Sequence, residues 1–179
     1  MNFPNKQQEK YLNELDKVSN LKFCIIGQDI YPENASGIAF CKNDFTQLLQ
    51  YNCSGKYVLN ALGYDSNFIY KLIEEKKKTE DFFIELLQNG ICFLNISYEL
   101  LNNIPKDNLD TTLREYKKYN EFFLNKSNKI ILLGKTKTHK LFKKYYKEYN
   151  EYEVLIHPSV RNQNKDEWKK IYNNKYFSL

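Results

Sequence analysis

The sequence has no long apolar run and no secretory leader pattern. No apolar run approaches the roughly 18 residues that a membrane-spanning helix needs. The N-terminal segment carries several charged residues and lacks the apolar centre of a signal peptide. We therefore expect an intracellular, cytoplasmic protein without a membrane segment.

The cysteine pattern typical of metal centres is also missing. The four cysteines show no CxxC spacing and have no histidine neighbours; they are Cys24, Cys41, Cys53 and Cys92. Two of them lie inside strand-like apolar runs. We therefore expect buried, reduced thiols and neither a metal ion nor an iron–sulfur cluster.

Internal repeats, Pro- or Ser-rich linkers and low-complexity tracts are absent as well. The chain has 179 residues, of which 42% are hydrophobic and 27% charged. This length buries one real core and is too short for a second, so we predict a single domain over 1–179. We also expect a monomer. The net charge of +5 favours a polyanionic partner only weakly, because many proteins of this charge bind no nucleic acid.

Short apolar runs alternate with amphipathic segments along the chain. The strand candidates are 23–26, 91–94, 129–133 and 152–156. Helical patterns occur at 7–17, 44–51, 57–75, 80–89, 112–126, 135–148 and 165–173. Strands that are apolar on both faces and separated by helices predict a parallel sheet covered on each side. We predict an α/β fold, a three-layer α/β/α sandwich with a central four-stranded, mainly parallel sheet.

Polar residues follow three of these strand candidates. The motif GQDIYP at 27–32 follows the first strand, Asn95 ends the second, and His157 follows the fourth. Ligands of open α/β sheets bind outside the carboxyl ends of the strands, so we expect Asp29, Asn95 and His157 to converge. Two plainer interpretations stay open: a turn cap for Asp29 and a core histidine for His157.

A nucleotide-binding loop and a basic DNA-binding patch are weaker hypotheses. The GKT at 134–136 resembles the tail of a P-loop, but the first glycine of that motif would fall on Lys129. We therefore reject a P-loop. The basic runs 76–78 and 140–147 are typical of solvated helix faces, and we assign them no site.

Five motifs occur in the order and approximate spacing of the uracil-DNA glycosylases. GQDIYP, GIAF, the LN of ICFLN, LLGKT and HPS resemble GQDPYH, GLAF, LLN, LLWG and HPSPLS of that family, from about residue 22 to 164. Pro32 in place of histidine, the LGKT segment and Arg161 after HPS are closer to the poxvirus type. The resemblance implies hydrolysis of the N-glycosidic bond of deoxyuridine in DNA, after the nucleotide has been flipped out of the helix.

The resemblance also implies a uracil pocket. Phe40 would stack on the base, and Asn95 would hydrogen-bond its N3–H and O4. Tyr31 would crowd C5 so that the methyl group of thymine cannot enter. Gln28 would help to shape the pocket.

By the same resemblance, Asp29 and His157 are the catalytic residues. Asp29 would orient the attacking water and stabilise positive charge on the deoxyribose, and His157 would stabilise negative charge on the leaving uracil. Ser159 and Thr46 would hold phosphates, and Arg161 would fill the vacated stack. No metal or organic cofactor is implied.

Some departures from the family pattern bear on rate and partners. Ile30 replaces a proline and is expected to loosen the loop that aims Asp29, and the Pro-rich phosphate loop has no clear counterpart after Cys41. The alternative function is a DNA-binding or replication scaffold that keeps the fold, with a replication partner. An acidic inhibitor protein that mimics DNA would also suit the basic surface. A small-molecule α/β enzyme is disfavoured, since no phosphate loop is found.

Overall fold

The computed structural model describes residues 6–15 and 17–158, apart from the side chains of 6–8. Its strands are β1 Phe23–Gly27, β2 Ile91–Asn95, β3 Ile130–Leu133 and β4 Glu153–Leu155. Its helices are α1 Lys6–Leu15, α2 Phe45–Leu48, α3 Ser54–Ala61, α4 Ser66–Glu74, α5 Thr79–Gln88, α6 Lys106–Leu124 and α7 Lys137–Tyr145, with a 3₁₀ helix at Leu101–Asn103. No helix among these residues has the length and apolar composition to cross a membrane.

The four strands form one sheet in the order β2-β1-β3-β4, and every pair is parallel. All residues of β2 and β3 are buried. Successive side chains of a strand point to opposite faces, so helices must cover both faces of the sheet. The predicted α/β fold with a four-stranded parallel sheet is confirmed.

The register of the sheet brings the functional strand ends to one edge. Gly27, the last residue of β1, pairs with Asn95, the last residue of β2. On the other side, Leu133 pairs with Leu155, and the Gly134 N–H donates to the Leu155 carbonyl at 2.8 Å. Because all strands run in the same direction, the loops that follow them share this edge.

Strand β2 is an edge strand whose outer side is closed by α1. The buried Tyr11 hydroxyl accepts the N–H of Phe93 at 2.9 Å. This contact satisfies a backbone donor that the sheet leaves unpaired and blocks the edge against further strand pairing. The ring of Phe93 packs beneath the candidate site.

Two helical predictions differ from the structure. The pattern at 57–75 is two helices, because Gly63 takes a positive φ of 94° and Asp65 caps α4 by accepting the Phe68 N–H at 2.8 Å. Helix α6 begins at Lys106, earlier than the predicted residue 112. The pattern at 165–173 lies outside the described residues. All four cysteines are free and buried, as predicted.

Candidate active site

A cavity of about 180 Å³ lies at the carboxyl end of β1. Five residues that the sequence singled out line it: Gln28, Asp29, Tyr31, Phe40 and His157. They come from the loop after β1, the turn at 37–40 and the segment after β4. The parallel sheet therefore gathers residues that are distant in sequence.

Asn95 lies beside this cavity, next to two residues that line it. A Cβ atom on Gly27 would lie 2.7 Å from Asn95 Oδ1 and 3.0 Å from Phe40 Cζ, so both groups pack against the bare Cα of Gly27. Asn95 is 1% exposed, and its Nδ2 has no hydrogen-bond partner within the described residues. A buried amide donor left unpaired costs roughly 1–3 kcal/mol, so this group suits a ligand carbonyl.

Tyr31 is fixed by the N-terminus of α3. Its hydroxyl accepts the Gly55 N–H at 2.7 Å and pairs with the Ser54 hydroxyl, also at 2.7 Å. Within the described residues Cys53, which precedes α3, makes no side-chain capping bond, so the Tyr31 hydroxyl takes over that task. Burial raises the pKa of Tyr31 well above its usual value, which keeps the hydroxyl protonated.

Lys42 adds a positive charge above the same ring. Its Nζ lies 4.4 Å from the centroid of the Tyr31 ring and donates to the Glu33 carbonyl. The cation therefore holds the loop after β1 from outside and faces the aromatic surface of Tyr31. Together with α3, it restricts the ring from two sides.

Phe40 adopts an unusual backbone conformation. Its φ is +62°, in the left-handed region that bulky residues rarely enter. The Phe40 carbonyl approaches α3 so closely that a Cβ on Gly55 would lie 1.9 Å from it. The Phe40 ring packs edge-on against Phe93 at 6.5 Å. Strain of this kind persists only where the surroundings enforce it, and here the glycine in α3 provides the space.

Asp29 is oriented by the segment that follows β2. Its Oδ2 accepts the N–H of Leu101 at 3.2 Å. The carbonyl of the neighbouring Gln28 accepts the Ser97 N–H at 2.9 Å. These two bonds tie the loop after β1 to the residues beyond Asn95, so the carboxylate and the Asn95 amide are positioned by one connected segment.

His157 is half-buried in the cavity wall. Burial lowers its pKa below the usual value of 6.5, and the charge of Asp29 opposes this effect. The imidazole is therefore neutral at neutral pH, with a ring N–H that can act as a hydrogen-bond donor.

A second cavity of about 260 Å³ shares Gln28, Asp29 and His157 with the first. Its remaining lining comes from residues 134 and 136–138, at the start of α7. The exposed Lys137 supplies a positive charge there. Sequence reasoning gave the GKT motif no site. The strand-end rule that found Asp29 would have found this loop too, since Gly134 directly follows β3.

None of the three predicted DNA-contacting residues is placed at these cavities: one lies elsewhere, and the other two lie outside the described residues. Thr46, in α2, is exposed and lines neither cavity, and its hydroxyl donates to the Asp44 carboxylate at 2.5 Å. Its role as a phosphate contact stays a prediction. Ser159 and Arg161 lie outside the described residues. Ser54, which sequence reasoning missed, lines the first cavity and is 6% exposed.

The sheet and its cavity define a parallel α/β protein with a carboxylate and an imidazole at the carboxyl edge of the strands. No protein-family model and no curated protein matches this chain. Its structure is similar to that of the wild-type UNG of Nitratifractor salsuginis, a uracil-DNA glycosylase, with a TM-score of 0.55 and 15% identity. The match covers 96% of this chain and 79% of that one.

Two further solved structures match. A point mutant of the same bacterial protein gives a TM-score of 0.56 and 16% identity over 96% of this chain and 80% of that one. A mimivirus uracil-DNA glycosylase gives a TM-score of 0.43 and 18% identity, and the match covers 83% of this chain and 54% of that one. The bacterial matches show that the chain has the uracil-DNA glycosylase fold, and the resemblance is confirmed at that level.

Proposed function

We propose that this protein is a uracil-DNA glycosylase that hydrolyses the N-glycosidic bond of deoxyuridine in DNA. The reaction releases free uracil, leaves an abasic site and begins base-excision repair. One observation carries the proposal: Asp29 and His157 line the same cavity as Phe40 and Tyr31, in a chain with the glycosylase fold.

Recognition of uracil follows from the groups around the cavity. The ring of Phe40 offers an apolar face on which a flipped base stacks. The Asn95 amide has one donor and one acceptor side by side, which match the O4 and N3–H of uracil. Within the described residues its buried Nδ2 has no partner, and the O4 of a bound uracil would supply one. Binding of the base thus gives this buried N–H a hydrogen-bond acceptor, which makes the free energy of binding more favourable.

Exclusion of thymine depends on the rigidity of Tyr31. Thymine differs from uracil by one methyl group, and a pocket that relies on sterics must not yield to it. The Tyr31 hydroxyl accepts the Gly55 N–H and pairs with the Ser54 hydroxyl, and these bonds hold the ring by its far end. The ring therefore cannot swing aside without losing both contacts.

Asp29 and His157 divide the charges that develop as the bond breaks. The electron pair of the C1′–N1 bond leaves with uracil, and the neutral His157 N–H stabilises the negative charge on the base. The Asp29 carboxylate stabilises the positive deoxyribose and orients the water that adds to C1′, whose proton passes to the carboxylate. A neutral imidazole suits this role, since it donates a hydrogen bond without first needing a proton from solvent.

The DNA backbone would pass over the second cavity. The net charge of +5 and the exposed Lys137 beside Asp29 and His157 favour a polyanion there. Ser159, Arg161 and Thr46 remain proposed contacts to the flanking phosphates and the vacated stack.

Release of uracil from a single-stranded oligonucleotide with one deoxyuridine tests the proposal. We expect the wild type to release uracil and to spare a thymine-containing control. Asp29→Asn should reduce the rate by roughly 100-fold or more, as loss of a positioned acid–base group does. Asp107→Asn, which changes an exposed carboxylate in α6, should act like the wild type.

A folded wild type that binds the oligonucleotide and releases no uracil would overturn the proposed enzymatic function. That outcome would favour the alternative function, a DNA-binding scaffold that has kept the glycosylase fold.

A further inference from the structure

A buried polar residue lies near the C-terminal end of α6. Asn120 is 1% exposed. Its Nδ2 donates to the Asn95 carbonyl and to the Tyr146 hydroxyl, both at 2.9 Å, and its Oδ1 accepts the Tyr98 hydroxyl at 2.7 Å. Burying an amide costs free energy unless its hydrogen bonds are restored, and here both donor hydrogens and the oxygen are used.

These contacts clamp the segment that carries Asn95. Asn120 holds the backbone carbonyl of Asn95 at one end of the segment and the side chain of Tyr98 at the other. From the opposite side, the Ile96 N–H donates to the Gly27 carbonyl at 3.1 Å. The turn after β2 is therefore fixed between α6 and the loop after β1.

The side chain of Asn95 depends on this clamp. Its Nδ2 makes no hydrogen bond among the described residues, so no polar contact of that donor anchors the side chain before a ligand binds. The direction of the amide is then set by the Asn95 backbone and by packing against Gly27 and Phe40. A shift of the peptide would carry the amide with it.

The remaining members of the cluster are held firmly. Tyr146 stacks on Phe142, with ring centroids 4.6 Å apart and an interplanar angle of 6°. Tyr98 packs edge-on against Tyr116 at 5.2 Å. Packing of this kind restricts both rings, so the hydroxyls that bond to Asn120 are held in place and favour one orientation of its amide.

We propose that Asn120 is a positioning residue for uracil recognition, which acts by fixing the peptide of Asn95 so that the Asn95 amide meets the edge of the base. The inference rests on the proposed glycosylase function. Asn120 would thus contribute to the choice of base from α6 without touching the substrate.

A double-mutant cycle on kcat/KM for uracil release tests this role. Asn120→Leu keeps a similar volume and removes every hydrogen bond of the amide. We expect it to lower kcat/KM roughly ten- to a hundredfold, because a misplacement of about 1 Å at a site costs on this scale. In an Asn95→Ala background the same change should cost almost nothing further, since the group it positions is gone.

Tyr146→Phe is the matched control. It removes a hydroxyl from the same cluster and keeps the hydrogen bond from Asn120 to Asn95, so it reports the effect of a weakened cluster alone. We expect a smaller loss of kcat/KM than for Asn120→Leu, and a smaller loss of thermal stability, since one hydrogen bond of the cluster is removed instead of three. If Asn120→Leu does not fold, Asn120→Ser replaces it, because the shorter side chain gives up the bond to the Asn95 carbonyl; its loss of kcat/KM should also vanish in the Asn95→Ala background.

The outcomes separate this inference from the proposed function. An active wild type in which the losses at positions 120 and 95 simply multiply would overturn the positioning role and leave the enzyme standing. A loss of kcat/KM in Tyr146→Phe as large as that in Asn120→Leu would overturn it as well. A wild type that releases no uracil would overturn both.

Discussion

Replacement of Tyr31 by phenylalanine separates the ring from the hydroxyl that fixes it. The ring stays available to crowd the base, but Gly55 loses the acceptor of its N–H, and Ser54 loses its partner. Within the described residues the side chain of Cys53 makes no capping bond to α3, so the variant loses the group that caps the Gly55 N–H. The change therefore exposes how far a helix N-terminus controls the pocket.

The expected loss of stability follows from the buried N–H. An unsatisfied buried donor costs roughly 1–3 kcal/mol. For a chain of this length each kcal/mol lowers Tm by about 2–4 °C, so Tyr31→Phe should melt roughly 2–12 °C below the wild type. Tyr57→Phe is the matched control, since its hydroxyl donates to the carbonyl of exposed Tyr51 at 3.1 Å. We expect that change to stay within about 0.5 kcal/mol.

Thermal unfolding and base release from the same preparations give the two readouts. If the hydroxyl holds the ring, Tyr31→Phe should lower the ratio of uracil to thymine release, and Tyr31→Ala should lower it further. A variant with unchanged Tm and undiminished rejection of thymine would refute the reasoning. In that case packing alone, including the Lys42 cation over the ring, would hold Tyr31 in place.

Two further predictions concern the same site, one on a substitution and one on a pH titration. Gly55→Ala should destabilise the fold by roughly 1–3 kcal/mol and slow uracil release, because the new Cβ would lie 1.9 Å from the Phe40 carbonyl; Asn60→Ala, exposed on the same helix, is the control, and a more stable Gly55→Ala would contradict the packing. An NMR titration, assigned with His139→Gln, should place the pKa of His157 below 6.5. Between the pKa of His157 in the folded protein and the higher value of 6.5 in the unfolded chain, the unfolded state binds more protons, so the stability of the fold should decrease as the pH drops below 6.5. A titration midpoint of His157 at or above 6.5 would refute the effect of burial.

The fold was predictable because buried parallel strands leave a strong signal. The four apolar runs match β1 to β4 within a residue or two at each end. The helices were less clear. Helix α6 begins with three polar, exposed residues at 106–108, and Leu109 is the one apolar residue before Leu113. Gly63 interrupts a pattern that reads as continuous until its positive φ is known.

The position of a residue at a strand end predicts only part of the candidate site; Tyr31 and Phe40, which also line the cavity, were predicted from the family resemblance. Asp29, Asn95 and His157 are found by that rule because the carboxyl edge of a parallel sheet is fixed by topology. Gly55 and Asn120 are not, because their roles come from contacts with residues 15 to 25 positions away. No local pattern marks a glycine that admits a distant carbonyl, or an asparagine that clamps a distant peptide.

The structure also bears on Ile30, which stands where the uracil-DNA glycosylase motif has a proline. Without that ring the loop after β1 loses a restriction on its backbone, and the sequence predicts a looser carboxylate at Asp29. Here the loop is tied by the Ser97 N–H to Gln28 and by the Leu101 N–H to Asp29, both from the segment that follows Asn95. Hydrogen bonds to the segment after Asn95 thus supply the restraint that the loop sequence lacks. The orientation of the Asp29 carboxylate and the proposed contact of Asn95 with the base are therefore coupled, and a change that loosens one should loosen the other.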